Sequence, residues 1–541
     1  MKRRGQPESI TLKNGRIYRS AMDARPASAI CLVGGRVSWI GETTDAPRAD
    51  RVIDLNGATV LPGLTDAHIH LYAIAHARLQ VSLTPSDVAS LADVLRRLKD
   101  RAEVAAAGGW VFATGLDENA LVERRLPLRD ELDLVSPDRP VMIRRFCGHA
   151  AVVNTAALRV LGLHDGVGDP DGGAYGRGPD GRLDGKALES AADAIFQSVP
   201  AFEPALLADA LRATFADCSR LGMTAAVEAA VGFTDGFVQE DAAWALLRGE
   251  KGLPLRLGFM LQIDAQDAAR RGLRPQFHPD WQSMSLKFFA DGIVGGRTAA
   301  VSEGYRDTAS RGLFVRAPEE LTRVICDAHD AGWQVAVHAI GDVAIDHIIS
   351  SFENAHGRNP RDDTRHRIEH YFVPPAGGLD RMKALGALVV TQPGFLKRMN
   401  RSIRGAFGER ADRFYPGRSV IDAGALYIAS SDAPTGVWSP WVNMAEAVDR
   451  ARAYGGPIGA QEGISNREAL HSYIAGGAFA MRHEAFRGRL ETGMAADLIA
   501  LDRDPTIAAP DALAETETLM TIVRGEVVHD VLASRILAPT A

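Results

Sequence analysis

The sequence predicts an α/β fold, a distorted (β/α)₈ barrel with a small β-sandwich built from both chain ends and an insertion after the first barrel strand. Apolar, strand-like runs alternate with amphipathic helical segments through the middle of the chain, which is the pattern of a parallel sheet with crossover helices. Short strand signals separated by turn residues occur near both ends. One connection in the middle is too long for a single crossover, and it predicts the insertion.

Eight apolar runs are the candidate barrel strands, and they lie in a domain over residues 62–484. The runs are GLTDAHIH from Gly63, GMTAAVEAA from Gly222, PLRLGFMLQ from Pro254, SMSLKFFADG from Ser283, WQVAVHAIGD from Trp333, HRIEHYF from His366, ALVVTQPGF from Ala387 and ALYIASSDAP from Ala425. An open, doubly wound sheet is the alternative for such a pattern. Because no GxGxxG motif opens a helix after the first run, the closed barrel is favoured.

Residues 1–61 and 485–541 contain short strand-like segments joined by tight turns. Asn14-Gly15 and Gly34-Gly35 each lie between two such segments, which is a strong local signal for a hairpin. The C-terminal segment has the same character, with a turn at Gly525. Chain ends often lie close together, so we predict that both segments form one composite β-sandwich.

Residues 72–200 separate the first and second candidate strands. This stretch contains a helical segment, SLADVLRRLKDRAEVAAAG, a strand-like PVMIRRF and a turn-rich region, GVGDPDGGAYGRGPDGRLDGK. We therefore predict an inserted subdomain, and we expect it to lie over the mouth of the barrel.

Composition and charge exclude several classes of function. The chain of 541 residues has a formal net charge of −7, so it lacks the basic character of a nucleic-acid-binding or lipid-binding protein. It contains no apolar stretch long enough to span a bilayer. Polar residues follow the basic N-terminus where a signal peptide would be apolar, and the four cysteines form no CxxC pair, so a cytoplasmic location is expected. A small-molecule substrate is the expected partner.

Five of the eight runs end in a residue that can bind a metal ion. Active sites of eight-stranded barrels form at the carboxyl ends of the strands, so these side chains are expected to share one cavity. His68 and His70 come first, and their alternation puts both imidazoles on one face of a strand, where they can bind one divalent ion. A pair of ordinary surface histidines is the alternative.

Lys287 is a lone cation inside the apolar run SLKFFA. A buried lysine is costly unless it is paired or neutral, so an ion pair with Asp291 or Glu369 is one interpretation. In the other, burial lowers the pKa of Lys287 and the neutral amine captures carbon dioxide as a carbamate. A carbamate has two oxygens and can bridge two metal ions.

His338, His370 and Asp432 complete the candidate metal site. A single histidine at the end of a strand is more often a core residue than a ligand, but two at equivalent points of neighbouring strands favour a metal. Asp432 follows the eighth run, where a carboxylate is costly without a cation or hydrogen-bond donors. Its alternative role is to cap the next helix.

These residues make the sequence resemble the amidohydrolase superfamily, and within it the amidohydrolase-3 branch of YtcJ-like proteins. The resemblance is carried by LPGLTDAHIHL, LKFFADGIVGGRTAAV, VHAIGDVAIDHIISSFENA, RHRIEH and SSDAP. Weaker likenesses occur at CGHAAVVNTAAL, GRLDGKALES and GRLETGMAADLIALD. Together these segments run almost from end to end of the chain.

The resemblance implies a role for each residue of the candidate metal site. His68 and His70 would bind the more buried ion, and His338 and His370 would bind the second. The carbamate of Lys287 would bridge the two ions. Asp432 would ligate the buried ion and transfer protons. Nitrogen and oxygen ligands suit zinc, which is the metal we expect, with one or two ions per chain.

The expected activity is that of a metal-dependent amidohydrolase. It would act on a non-peptide carbon–nitrogen bond, in an amide, formamide, carbamate or cyclic amide, through attack by a metal-activated hydroxide with Asp432 as the proton shuttle. His149 and Arg297 are candidate substrate contacts, although His149 could equally be a core histidine. Candidates to orient the imidazoles are Asp291, Asp342 and Glu369.

Two other functions stay open at this point. An esterase, lactonase or phosphoesterase could use the same metal site, because hydroxide attack does not require a nitrogen leaving group. A catalytically silent scaffold is disfavoured, since every expected ligand position is filled. A homodimer is expected only because dimers are the commonest oligomers.

Overall fold

The computed structural model describes residues 8–104, 109–145, 150–450, 456 and 458–532. The described residues form two compact units, one from those within Met1–Tyr72 and Leu211–Ala541 and the other from those within Ala73–Ala210. In chain order the described strands are β1 (Ser9–Ile17), β2 (Ala27–Val33), β3 (Arg36–Gly41), β4 (Arg51–Asp54), β5 (Thr59–Pro62), β6 (Leu64–Ile69), β7 (Val81–Ser82), β8 (Val111–Leu116), β9 (Val141–Arg145), β10 (Ala150–Val153), β11 (Gly173–Arg177), β12 (Leu183–Glu189), β13 (Met223–Val231), β14 (Arg256–Leu261), β15 (Trp281–Phe289), β16 (Gln334–Ala339), β17 (Arg367–His370), β18 (Leu388–Thr391), β19 (Tyr427–Ala429), β20 (Leu498–Leu501), β21 (Thr518–Val523) and β22 (Glu526–Asp530).

Helices separate many of these strands. The described α-helices are α1 (Leu71–Arg78), α2 (Leu91–Val104), α3 (Arg129–Val135), α4 (Thr155–Val160), α5 (Ser190–Ser198), α6 (Pro204–Arg220), α7 (Phe237–Leu247), α8 (Ala265–Arg270), α9 (Pro318–Asp330), α10 (Asp342–Arg358), α11 (Gly378–Ala384), α12 (Gly394–Phe407), α13 (Gly417–Asp422), α14 (Pro440–Val448), α15 (Asn466–His471), α16 (Gly477–Ala480) and α17 (Pro510–Ala514). A π-helical turn at Ser472–Gly476 joins α15 to α16.

The eight predicted barrel runs form one parallel sheet in the order β19-β18-β17-β16-β15-β14-β13-β6. Backbone hydrogen bonds join its two edges just beyond the last strand. The amide of Asp432 donates to the carbonyl of His68 at 2.8 Å, and the amide of His70 donates to the carbonyl of Ala433 at 2.9 Å. The sheet is therefore a nearly closed barrel, which confirms the predicted fold class.

The barrel strands are buried on both faces, as their apolar sequences require. Every residue of β13, MTAAVEAAV, is buried. The crossover helices cover the outside with one apolar face. In α9, which begins at Pro318, the residues Leu321, Val324, Ile325 and Ala328 are buried at the spacing of one helix face. Short polar turns then return the chain to the next strand.

A second sheet joins the two ends of the chain. Its order is β22-β21-β20-β5-β1-β2-β3, with β4 paired to β1. The N-terminal strand β5 pairs antiparallel with the C-terminal strand β20, where Leu61 is opposite Ile499. Side chains from both ends, including Leu12, Val60, Leu498 and Ile522, form its apolar core. The exact domain boundaries at residues 61 and 485 remain predictions.

The unit of residues 73–210 lies between β6 and β13 in the sequence, where the insertion is predicted. It has its own sheet, in the order β11-β12-β10-β9-β8-β7. One face of this sheet packs on α2 and α3 through residues that include Leu98, Leu132 and Val141. Its position over the barrel mouth remains a prediction. Among the described residues, no helix is both long enough and apolar enough to cross a membrane.

Candidate metal centre

The six residues of the candidate metal site lie together at the carboxyl end of the barrel. The imidazole centroids of His68 and His70 are 5.5 Å apart, those of His68 and His370 are 5.2 Å apart, and those of His338 and His370 are 4.5 Å apart. Every member is buried except His70, which is partly exposed. Five strands separated by long stretches of sequence thus bring their polar ends to one point.

Asp432 lies against the first two imidazoles. Its Oδ1 is 3.4 Å from Nε2 of His68 and 3.2 Å from Nε2 of His70. One ligand atom from each of His68, His370 and Asp432 lies within 4.8 Å of the other two. Burial alone would raise the pKa of Asp432, but the neighbouring imidazoles hold it well below its usual value. Asp432 is therefore an ionised carboxylate at neutral pH.

A buried chain of charged groups fixes the orientation of His68. Nδ1 of His68 is 2.6 Å from Oε2 of Glu369, and the Arg367 guanidinium donates to both oxygens of the same carboxylate. Arg367 also donates to the carbonyl of Ala67 at 2.8 Å. Although burial raises the pKa of Glu369, Arg367 and His68 lower it far below its usual value. Glu369 thus orients the His68 ring through Nδ1, with Nε2 on the side of Asp432.

The imidazoles of His338 and His370 are oriented by neutral acceptors. Nε2 of His338 donates to the carbonyl of Gly292 at 3.1 Å, and Nδ1 of His370 donates to Oε1 of Gln392 at 2.7 Å. Each ring therefore keeps a second nitrogen with a free lone pair. Burial, with a further contribution from Lys287, lowers the pKa of His338 to about 4. Burial and the neighbouring His338 lower the pKa of His370 well below its ordinary value.

Two of the six residues have a left-handed backbone conformation, which is rare outside glycine. The φ angle is +78° at His370 and +52° at Asp432. Both residues lie where a strand ends and the chain turns sharply. Such conformations cost free energy and concentrate at functional sites. Here they direct the two side chains into the cluster.

Lys287 is buried, and among the described residues it has no ion-pair or hydrogen-bond partner. The alternative interpretation, an ion pair with Asp291 or Glu369, does not agree with this structure. Burial lowers the pKa of Lys287 to about 8, although the carboxylates of Glu369 and Asp432 oppose that shift. Its Nζ lies 5.1 Å from the ring centroid of Phe289. About half of this amine is consequently neutral at pH 8, and about a tenth at pH 7.

The donor set fits a divalent metal ion. Nε2 of His68 is buried and accepts or donates no hydrogen bond in the described structure, which is costly for a polar atom without a partner. Its nearest ionised neighbour is the Asp432 carboxylate, 3.4 Å away. Imidazole nitrogens and an ionised carboxylate are the ligands that zinc and related ions prefer.

A cavity of about 330 Å³ opens next to these residues. Its wall is polar where the cluster lies and apolar elsewhere. Besides the six residues and Asp291, its lining consists of Phe233, Phe289, Ile293, Val294, Ile340, Phe372, Phe395, Met399, Ile403, Tyr415 and Thr435. The site therefore has room for a small molecule beside the metal-binding groups.

The candidate orienting residues have different positions. Glu369 contacts His68, as described above. Asp291 accepts from the amides of Ala300, Ile340 and Gly341, and its Oδ1 is 3.8 Å from Nε2 of His338. Asp342 bonds to the backbone and hydroxyl of Ser302 and contacts none of the imidazoles.

The structure does not bring the candidate substrate contacts into the cavity. The Arg297 guanidinium binds both oxygens of Asp307 and donates to the carbonyl of Val294 and the hydroxyl of Ser402. It is not among the cavity-lining residues. The N–H groups of Arg297 are bonded to residues that hold the loop after β15. The structure therefore does not support Arg297 as a substrate contact. His149 lies outside the described residues.

Sequence reasoning missed two residues near the cluster, Gln392 and Glu228. Gln392 follows β18 as a polar residue after an apolar strand, which is the signal that identified the other site residues. Glu228 is the only carboxylate in the run MTAAVEAAV. Its Oε1 lies 3.9 Å from Nδ1 of His70, and its Oε2 accepts from the amide of Tyr72 at 2.9 Å. Burial raises the pKa of Glu228.

Comparison with known proteins places these features in a family. The model of the amidohydrolase family matches residues 51–529. The putative amidohydrolase YtcJ of Bacillus subtilis (strain 168) is 29% identical over 527 residues, covering 95% of this chain and 98% of the relative. The N-substituted formamide deformylase of Arthrobacter pascens is 29% identical over 529 residues, covering 93% of this chain and 95% of the relative.

Solved structures give the same result. An uncharacterized metal-dependent hydrolase from Pyrococcus horikoshii OT3 superposes with a TM-score of 0.76 at 26% identity, over 93% of this chain and 99% of that one. The resemblance carried by the sequence motifs is thereby confirmed, together with the predicted class of enzyme. The chain belongs to the amidohydrolase family, as a metal-dependent hydrolase of carbon–nitrogen bonds other than peptide bonds.

Proposed function

We propose that this enzyme hydrolyses a small-molecule amide, formamide, carbamate or cyclic amide at a zinc centre bound by His68, His70, Lys287, His338, His370 and Asp432. The convergence of these six side chains beside one cavity carries the proposal. The N-substituted formamide deformylase among its relatives supports a carbon–nitrogen bond as the target. The predicted cytoplasmic location and homodimer rest on the sequence alone.

His68, His70 and Asp432 would hold one ion, and His338 and His370 would hold the second. Lys287 would join them through a carbamate, which requires a neutral amine. The lowered pKa of about 8 and the lack of an ion-pair partner among the described residues support this role. These residues would thereby hold divalent ions whose chemistry would be to lower the pKa of a coordinated water toward neutrality and to polarise the carbonyl of the substrate.

Asp432 performs the proton transfers in this proposal. Its ionised carboxylate takes a proton from the attacking water and delivers it to the leaving nitrogen, which departs as the neutral amine. The pKa of Asp432, held well below its usual value by the imidazoles, keeps the carboxylate ready to accept that proton. With an ion bound, Glu369 would accept a hydrogen bond from Nδ1 of His68 and so leave Nε2 for the metal.

Metal removal and reconstitution test the proposal. The purified enzyme is stripped with a chelator, reloaded with zinc, and assayed on a panel of N-acyl amines and aryl esters. We expect amide hydrolysis that disappears on stripping and returns with zinc. Activity confined to the esters would replace the amide assignment by an esterase. Turnover that survives complete chelation would exclude the metal mechanism.

A matched pair of histidine variants makes the ligand assignment specific. We expect His70→Asn to lose bound zinc, as measured by elemental analysis. His347→Asn is the control, because His347 lies on α10 and contacts the carbonyl of Pro318. A crystal structure with anomalous data at the zinc edge would then show the number of ions and the chemical state of Lys287. Ions bound elsewhere would contradict the assignment.

A further inference from the structure

Helix α12 presents one apolar stripe to the cavity. Phe395, Met399 and Ile403 are four residues apart, so they lie on one face of the helix, and all three line the cavity. The exposed positions Arg398 and Arg401 lie on other faces. Because α12 follows β18, this stripe lies at the same end of the barrel as the metal site. We call these three residues the α12 stripe.

An aromatic pair continues the apolar wall up to the metal site. Phe289 lies two residues after Lys287 on the same face of β15, and its ring centroid is 5.4 Å from that of His338. Phe233 stacks on Phe289 at 5.6 Å and lies 5.4 Å from His70. Although it is a large apolar side chain, Phe233 is 54% exposed. Because it lines the cavity, this exposed ring offers an apolar contact surface to a bound molecule.

The described lining of the cavity offers a substrate carboxylate no cationic side chain that is not already assigned to the metal site. Among its described lining residues, Lys287 is the only lysine or arginine, and the proposed function uses it as a metal ligand. The Asp291 carboxylate is held by three backbone amides. Apart from the six residues of the metal site and Asp291, the lining is apolar except for Tyr415 and Thr435. A carboxylate placed on the α12 stripe would be desolvated without a partner, which is strongly unfavourable.

We propose that the α12 stripe and the Phe233–Phe289 pair select substrates whose variable group is uncharged and apolar, of about the size of a substituted phenyl ring, and reject those in which that group carries a carboxylate. This inference rests on the proposed function and narrows its substrate class. The enzyme would accept neutral N-aryl and N-alkyl amides and reject N-acyl amino acids, in which a carboxylate lies next to the same kind of amide bond.

A matched pair of amides tests the selectivity. Para-methylacetanilide and para-acetamidobenzoate differ only in a methyl group or a carboxylate at the far end of the ring. The carboxylate makes the aniline a better leaving group, so intrinsic reactivity favours the anion. For the zinc-loaded enzyme we expect kcat/KM to favour the methyl compound by at least about 100-fold. Equal values, or a preference for the anion, would overturn the inference.

A charge introduced on the α12 stripe should change this preference. We expect Met399→Lys to reduce the ratio of the two kcat/KM values by at least about tenfold, because its ammonium can pair with the carboxylate. Leu246→Lys adds the same charge at an exposed position of α7 outside the cavity lining, so it should leave the ratio unchanged. An identical ratio in both variants would contradict the role of the α12 stripe.

A binding measurement separates failure of this inference from failure of the proposed function. If no amide is hydrolysed, the proposed function fails, and para-methylacetanilide is titrated into the zinc-loaded wild type and both variants. We then expect the wild type to bind para-methylacetanilide. Met399→Lys should weaken this binding at least about tenfold, and Leu246→Lys should leave it unchanged. Absence of binding to the wild type, or equal affinity for all three proteins, would overturn it.

Discussion

The barrel has a buried cluster of charged groups at each end, and the two clusters differ in how completely their groups are paired. At the amino ends of the strands, Asp497 accepts from Arg256 through Nε at 2.6 Å and from Arg487 through Nε at 2.6 Å. The amide of Arg524 donates to the same carboxylate at 2.8 Å. We call Arg256, Arg487 and Asp497 the base cluster. Its two guanidiniums help to lower the pKa of Asp497 to about 2 against the effect of burial.

The metal-site cluster at the carboxyl ends is incomplete. Nε2 of His68 has no hydrogen-bond partner, and Lys287 has no ion-pair partner among the described residues. Both clusters are buried, and both join distant parts of the sequence. A satisfied cluster contributes to the folded structure, whereas one with unsatisfied donors indicates a missing ligand. Substitutions at the two ends should therefore differ in whether activity or stability changes.

The largest effect is expected at the metal site. We expect Asp432→Asn to reduce kcat by about 10⁴-fold, because an amide cannot accept the proton of the attacking water. Its oxygen can still ligate, so most of the bound zinc should remain. Steady-state kinetics and elemental analysis on the same sample measure both quantities. Asp342→Asn is the control, since Asp342 contacts none of the imidazoles. Full activity in Asp432→Asn would remove the proton-transfer role.

The base cluster should respond in stability instead. Asp497→Asn leaves the buried guanidinium of Arg487 without a carboxylate and removes one of the two carboxylates that pair with Arg256, so we expect the free energy of unfolding to fall by about 3–5 kcal/mol. The fraction that remains folded should retain its kcat. Urea unfolding and active-site-normalised kinetics measure the two. The exposed pair of Arg489 and Glu491 offers a control, and Glu491→Gln should change the stability by less than about 1 kcal/mol. A loss of kcat without a loss of stability would show that the base cluster contributes to activity rather than to stability.

A buried histidine beside the base cluster gives a pH test. Burial, with Arg487 and Arg256, lowers the pKa of His483 to about 2, against an unfolded value near 6.5. Below pH 6.5 the unfolded chain therefore binds a proton that the folded chain excludes, and stability falls as the pH falls. Between pH 7.5 and pH 4.5 this residue should account for about 2–3 kcal/mol of that fall.

The variant His483→Gln should lack this part of the pH dependence. Its free energy of unfolding, measured by urea unfolding at several pH values, should change by about 2–3 kcal/mol less than that of the wild type. His356→Gln, at an exposed histidine, is the control and should follow the wild type. Identical pH profiles for His483→Gln and the wild type would show that His483 titrates alike in both states.

The smallest effect is expected at Glu228, whose carboxylate lies 3.9 Å from the ring of His70. Glu228→Gln keeps the acceptor for the Tyr72 amide but removes the charge, and we expect kcat to fall about tenfold. Glu240→Gln is the matched control. Its carboxylate is also buried, but it accepts from the amides of Gly232, Thr234 and Asp235. Equal effects of the two substitutions would assign Glu228 a purely structural role.

The sequence predicted the barrel well because its signals are local. Each barrel strand is an apolar run, and five of the eight runs end in a residue that can bind a metal ion, which indicated the candidate site. The hairpin predicted at Gly34-Gly35 is confirmed, since it joins β2 to β3, and here local composition and global position agree. The hairpin predicted at Asn14-Gly15 is wrong, because both residues lie within β1, which continues to Ile17.

Contacts between distant residues could not be predicted in the same way. Arg297 follows a barrel strand, as the site residues do, yet it pairs with Asp307 because the loop after β15 folds back on itself. Glu228 lies within a strand rather than at its end, so the positional rule did not select it. The partners of Lys287 depend on which side chains surround it, and only the coordinates specify them.

The two backbone hydrogen bonds that close the barrel belong to residues of the metal site. The amides of Asp432 and His70 complete the ring of strands, while their side chains face one another across the same gap. Any ion held between those side chains would link the two edges of the sheet and stabilise the closure of the barrel. Loss of the ion would then first be detected as faster hydrogen–deuterium exchange at these two amides, before any change in the rest of the barrel.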